Sequence, residues 1–170
     1  MKKLIITLAL ITQTVKSQSN LRINDREFFT LSTSIDPYAS YKEKGVDIIG
    51  EIEYVGVIYT KVGFESFEVL HGGYKDIHGA IGINFVSGYN GELRYYLGTR
   101  AAKVWRADSW KINYGAEFGV DYVVSKGLFL GLRATYDKRY DQEIFRWKPE
   151  NKLSGFLRVG YKWYYKNRGY

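Results

Sequence analysis

Residues 111–124 read KINYGAEFGVDYVV. Ile112, Tyr114, Ala116, Phe118, Val120, Tyr122 and Val124 form one alternating set. Lys111, Asn113, Gly115, Glu117, Gly119, Asp121 and Val123 form the other. A period of two is that of a β-strand whose successive side chains point to opposite faces. One face is apolar throughout, and the other is polar or small apart from Val123. The fold turns on which of them faces inward.

The same alternation recurs in seven other runs. Their apolar members start at Phe29, Ile48, Ile58, Ile77, Leu93, Leu128 and Leu153 and continue every second residue. Eight strands follow, joined alternately by short and longer connections. Residues 55–57, 87–90 and 125–127 are the short ones. Residues 36–45, 105–110 and 138–151 are the longer ones and 71–75 is intermediate, with Asp36-Pro37 and Lys148-Pro149 read as turn starts. Tyr accounts for 16 residues, Gly for 18 and Pro for 2 of the 170, a composition that favours strands and turns over helix bundles.

The chain starts with MKK, an eight-residue apolar run LIITLALI, and TQTVKS. That is the layout of a signal peptide, with Val15 and Ser17 small enough for the cleavage site. Cleavage after Ser17 is expected, leaving 18–170 as one barrel domain. It removes Lys2, Lys3 and Lys16 and lowers the formal charge from +7 to +4. No basic run marks a nucleic-acid groove. There is no Cys, and His71 and His78 are too few for a histidine-based metal site, so neither a cofactor nor a metal is expected.

The charges interleave on the polar faces. The expected lumen network comprises Glu51, Glu53, Glu65, Glu92, Arg94, Arg100, Glu117, Asp121, Arg133, Arg158 and Lys162, with Asp47, Lys61, Lys111 and Asp137 on the same faces. Gly82, Gly98, Gly115, Gly119, Gly131 and Gly160 lie among them. Glycine weakens a solvated strand, but inside a narrow barrel it makes room for a long Arg or Glu opposite. Buried charges require partners, and balanced signs supply them. Tyr54, Phe85, Tyr95, Tyr122, Tyr161 and Trp163 sit near the short-turn ends of the apolar faces, where an interfacial girdle belongs. The expected fold class is therefore all-β, an eight-stranded antiparallel up-and-down transmembrane β-barrel. A soluble lipocalin-like barrel with the faces exchanged is the alternative.

With its leader, eight strands and closing FLRVGYKW (156–163), the chain resembles small outer-membrane β-barrels of the OmpA/OmpX type. It departs from them in the YYKNRGY that follows Trp163. The Gln after the expected cleavage site and the Tyr-rich strands are similar to Bacteroidetes barrels. The resemblance implies an outer-membrane location. It also implies contact with outer-membrane lipid or lipopolysaccharide and recognition by the barrel assembly machinery.

A filled lumen leaves function to the loops, as a structural or adhesive surface for an extracellular protein, glycan or phage. Tyr38, Tyr41, Tyr74, Trp105, Trp110, Phe145, Arg146 and Trp147 are the candidate contacts, with Arg139, Tyr140 and Lys148 nearby. A second reading is a lipid A-modifying enzyme. Ser66, Glu68 and His78 lie on two arms of one hairpin, but simple alternation faces His78 away from the other two. A bulge near Glu65–Ser66 would place Glu68 beside His78 inside and Phe67 and Val69 outside. A pore is the third reading, disfavoured by eight strands and a charged lumen.

Overall fold

Each period-two run forms a strand, and the strands close on themselves. The computed structural model describes residues 21–24, 26–88, 91–125 and 127–164. Residues 1–20, which include the expected leader, and Asp25, Tyr89-Asn90, Lys126 and Tyr165–Tyr170 lie outside them. A two-residue strand, β1 (Arg22–Ile23), precedes the barrel. Its eight strands are β2 (Phe28–Ile35), β3 (Ile48–Val55), β4 (Ile58–Ser66), β5 (Lys75–Ser87), β6 (Leu93–Arg106), β7 (Ser109–Ser125), β8 (Leu128–Arg139) and β9 (Glu150–Tyr164). Helix α1 (Pro37–Glu43) and a 3₁₀ helix (Tyr140–Phe145) occupy two connections. Consecutive barrel strands pair antiparallel, and β2 pairs with β9 from Phe28↔Tyr164 to Ile35↔Leu157. That pairing closes an eight-stranded antiparallel up-and-down barrel.

The alternation decides which side chain goes where. Inward positions carry Glu53, Arg158 and Arg133, all buried, whereas outward Leu132 and Val62 are each 62% exposed. The faces are thus those of an inverted soluble protein, and among the described residues the inward positions form no lipocalin-like interior for an apolar ligand. The inward glycines make room as expected, but mostly for rings. A Cβ at Gly98 would strike Tyr59, and one at Gly119 would strike Tyr96.

The two rims differ. At the turn rim the connections are 56–57, 88–92 and 126–127. There Phe29 packs against Tyr54 (5.2 Å between centroids) and Trp163 (6.2 Å), part of the expected girdle. The N-terminal segment crosses this mouth. β1 pairs with Phe85 and Val86 beyond the end of β4, and buried Asn24 donates to the Gly56 carbonyl at 3.1 Å. The cavity left beneath it is about 20 Å³, room for about one water.

At the loop rim, α1 starts at Asp36, whose carboxylate accepts the Ala39 N–H at 2.9 Å, with Pro37 in the first helical turn. Asp36-Pro37 therefore begins a helix, not only a turn. Ala39 packs with Phe67, Tyr74, Ala102 and Val104 over the lumen. The expected long loop 105–110 is instead a tight hairpin. β6 and β7 pair up to Arg106↔Ser109, and Ala107 and Asp108 both have positive φ (45° and 60°). Two such residues match a type I′ turn, whose twist suits the strands it joins. Strand length also divides the barrel: β2–β4 have 8 or 9 residues, and β5–β9 have 12 to 17.

Candidate functional site

The lumen is built in layers from side chains that alternation points inward. In the turn-rim half of the lumen, Arg94 grips Glu53 with both terminal nitrogens, at 2.5 and 3.0 Å, and reaches Asp121 at 3.3 Å. Arg158 enters from the facing wall, with Glu53 at 2.9 Å and Asp121 at 2.8 Å. Glu51 holds Arg133 and lies 3.6 Å from Lys61, whose ammonium is 2.8 Å from Glu117. Tyr59 donates to Glu117 at 2.7 Å. Each charge meets opposite charges from several strands, so burial is compensated.

Nearer the loop rim, Arg100 lies 3.3 Å from Asp137, 3.6 Å from Asp76 and 3.9 Å from Glu65. His78 uses both ring nitrogens, on Asp76 at 2.7 Å and Glu51 at 3.1 Å. Glu65, Asp76 and His78 present metal-type ligand atoms within 4.8 Å of one another. The Arg100 guanidinium stands beside both carboxylates and the imidazole bonds Asp76, so a cation already occupies this corner of the lumen.

Of the expected network, Glu51, Glu53, Glu65, Arg94, Arg100, Glu117, Asp121, Arg133 and Arg158 are brought together. Glu92 and Lys162 are not at its centre. Glu92 is half-buried just before β6, and the Lys162 ammonium lies 5.4 Å from the Phe28 ring at the turn rim. Lys111 sits at the loop rim, paired with Glu143 at 2.8 Å. Asp76, Tyr59 and Tyr96 were missed. Their inward parity was readable, but the partners across the lumen were not.

The expected loop contacts sort differently. Tyr38 and Tyr41 stand out from α1, with Tyr41 87% exposed. Tyr74 is no surface contact: it is 5% exposed, and its hydroxyl donates to Asp76 at 2.9 Å. Burial beside Glu65 and Asp76 pushes that hydroxyl well above the usual tyrosine range. Trp105 and Trp110 are a cross-strand pair on the outer wall, not loop residues. Arg139 is buried as well, because it clamps Asp141 through two nitrogens at 2.6 and 2.8 Å. Against the cost of burial, Arg139, Asn113 and Arg106 hold Asp141 well below the usual carboxylate range. This buried knot ties the 3₁₀ helix onto the barrel.

Above the knot, Phe145 packs against His71 (4.8 Å) and Trp147 (5.2 Å), which also stack on each other at 6.0 Å. The Arg106 guanidinium lies 4.7 Å from the Phe145 centroid, and exposed Arg146 is next in the chain. His71, unforeseen in this role, joins the β4–β5 connection to the 3₁₀ segment.

The residues considered for acyl transfer are not assembled. β4 and β5 stay in register to Ser66↔Lys75 without a bulge, and Phe67 is buried. Glu68 is exposed and paired with Lys75 at 3.1 Å, while His78 faces the lumen.

No protein-family profile and no curated protein matches the sequence. Solved structures do resemble the fold. A de novo designed transmembrane β-barrel aligns at TM-score 0.50 and 15% identity, covering 84% of this chain and 99% of the design. The Yersinia pestis outer-membrane protein Ail, solved in a phospholipid bilayer nanodisc, aligns at TM-score 0.50 and 12% identity, over 82% of this chain and 100% of Ail. Neisserial surface protein A aligns at 0.46 and 14% identity, over 82% and 97%. At these identities the likeness is one of fold: a small, closed, eight-stranded barrel of the transmembrane kind.

Proposed function

We propose that this chain is an outer-membrane β-barrel with a filled, non-conducting lumen, whose work is done at its loop rim. The observation that carries the reading is the inversion of faces. Outward positions run apolar from strand to strand, and the acids and bases inside neutralise one another. On β6, Leu93 to Lys103 spans ten residues. At about 3.3 Å per residue and a tilt near 40°, that is roughly 25 Å of height, the thickness of the apolar band on such barrels. The likeness to the designed barrel and to Ail supports the same reading.

At the loop rim, the cluster of His71, Phe145 and Trp147 beside Arg146, with Tyr38 and Tyr41 on α1, forms the surface for an extracellular protein or glycan. Aromatic and Arg side chains supply most of the energy at such contacts. Nothing in the arrangement of Ser66, Glu68 and His78 favours an enzyme. The reading is tested by gel mobility of the membrane-extracted protein, unheated and boiled. A mobility shift on boiling is expected. Recovery from the soluble fraction, with no shift, would refute the membrane reading.

A further inference from the structure

Two strands of the barrel outrun a shorter neighbour. At the turn rim β4 leaves β5 at Ile58↔Ile83, and residues 84–87 of β5 run on. At the loop rim β2 leaves β9 at Ile35↔Leu157, and residues 150–156 of β9 run on, paired with β8 on one side only. The chain covers the first of these edges itself. β1 adds to it as a short antiparallel strand, Arg22↔Val86 and Ile23↔Phe85, and the Asn24 N–H extends the ladder to the Asn84 carbonyl at 3.4 Å. Among the described residues no strand covers the second edge.

The register fixes which groups stand open there. Lys162 turns its N–H toward β8, onto the Gly127 carbonyl at 2.8 Å. β8 and β9 then pair without a shift from Leu128↔Tyr161 to Arg139↔Glu150. Backbone groups alternate sides along a strand. The even-numbered residues of β9 therefore face β8, and Asn151, Leu153 and Gly155 turn N–H and C=O to the side that β2 has left. None of these six groups has a hydrogen-bond partner among the described residues. Helix α1 carries the chain from β2 inward, where Ala39 packs over the lumen, and does not continue the ladder. The side chains agree. Leu153 is 72% exposed, against 47% for Leu157, which has a strand on either side. A Cβ at Gly155 would meet nothing within 4 Å. Bare backbone at the margin of an apolar layer is costly, and a bare edge is a template for another strand.

We infer that this edge of β9 is a strand-addition site, on which an extended segment of an extracellular protein docks at Asn151, Leu153 and Gly155 as β1 docks on β5. This rests on the reading of the loop rim as an outward-facing binding surface, and it narrows the partner to a polypeptide. Three N–H and C=O pairs spaced two residues apart match another strand. A second copy of this chain does not fit. Two upright barrels related by a twofold axis along the membrane normal bring their β9 edges together with opposite tilts of about 40°, so the strands cross instead of pairing.

The test uses the full folded chain in detergent, labelled with nitrogen-15, with amide hydrogen exchange read by NMR. The probe is a capped peptide of alternating valine and threonine with a lysine at each end. Its control is the same peptide N-methylated throughout, which removes the donors and leaves the side chains. In the free protein the amides of Leu153 and Gly155 should exchange at least about tenfold faster than those of Lys152 and Ser154. With the probe at ten times its dissociation constant, exchange at Leu153 and Gly155 should slow by about tenfold, and the control should leave it unchanged. Leu153→Pro should abolish the protection of Gly155, because proline is tolerated on an open edge but cannot donate to an added strand. Slow exchange at Leu153 and Gly155 in the free protein, or no slowing with the probe, overturns the inference. Equal slowing by the N-methylated control overturns it too, by assigning the contact to side chains. Gel mobility of the same sample separates the two readings. Without a shift on boiling, the membrane reading fails and takes this inference with it; a shift without probe-dependent protection overturns the inference alone.

Discussion

Glu53 is heavily committed in the lumen, accepting from Arg94, Arg158 and Thr30. Replacing it with Leu leaves two buried guanidinium groups short of countercharge. Breaking a buried pair from one side costs about 3–5 kcal/mol, whereas removing one hydroxyl from a buried hydrogen bond costs about 1–3 kcal/mol. Glu53→Leu should therefore lower stability more than Tyr59→Phe, which strips one donor from Glu117. Urea titrations of both variants, followed by gel mobility, check that order. Asp47 behaves oppositely. Burial, against the attraction of Lys152 and reinforced by Asp36 and Asp76, pushes its carboxyl up to about 6, and Oδ1 has no hydrogen-bond partner among the described residues. A carboxyl raised in the folded state favours folding when protonated. That contribution is complete below about pH 4 and lost as the pH rises through about 6. Asp47→Asn should match wild type near pH 4 and exceed it at pH 7 by about 2–3 kcal/mol. The pH dependence of the urea midpoint reads this out, and an unchanged gap between variant and wild type would refute it. The inward parity of Glu53 was plain from sequence. Its partners were not, because register and closure decide which inward residues meet.

Elements with a strong period were readable, and short ones were not. The stretch KINYGAEFGVDYVV lies wholly within β7, its two faces divided as alternation demands. Helix α1 has seven residues, too few for a 3.6-residue period to stand out. Its signals, an Asp cap and Pro37, are shared with turns. The β6–β7 hairpin was mistaken for a loop because its turn lacks the usual Asn-Gly or Asp-Gly pair. Ala107 occupies the left-handed region there at φ 45°, which costs a residue with a Cβ about 1–2 kcal/mol. Gly avoids that strain but is more flexible when unfolded, a partly offsetting loss. Ala107→Gly should raise stability by up to about 1 kcal/mol and leave the Trp105–Trp110 pair in register. A lower urea midpoint for this variant would contradict the turn geometry.

For the whole molecule, closure and filling have one functional consequence. Solutes would enter at the loop rim past Ala39, Phe67 and Tyr74, and then meet the layer in which Arg94 and Arg158 span the lumen through Glu53 and Asp121. At the turn rim, Asn24 and Asn84 both donate to the Gly56 carbonyl beneath the N-terminal segment. An ion crossing this path would have to separate several buried pairs at once, each break costing kcal/mol rather than tenths. Thermal opening of such a layer is rare, so the barrel should be electrically silent. In planar bilayers, wild-type protein with a verified gel shift should give no stable conductance steps. Truncation before Glu27 should remain silent too, because it uncovers only the turn-rim mouth and leaves the ion-paired layer beneath it intact. Conductance in the truncated chain alone would move the seal to the N-terminal segment. Stable conductance in both would mean that the lumen opens in a bilayer and that its ion pairs line a path.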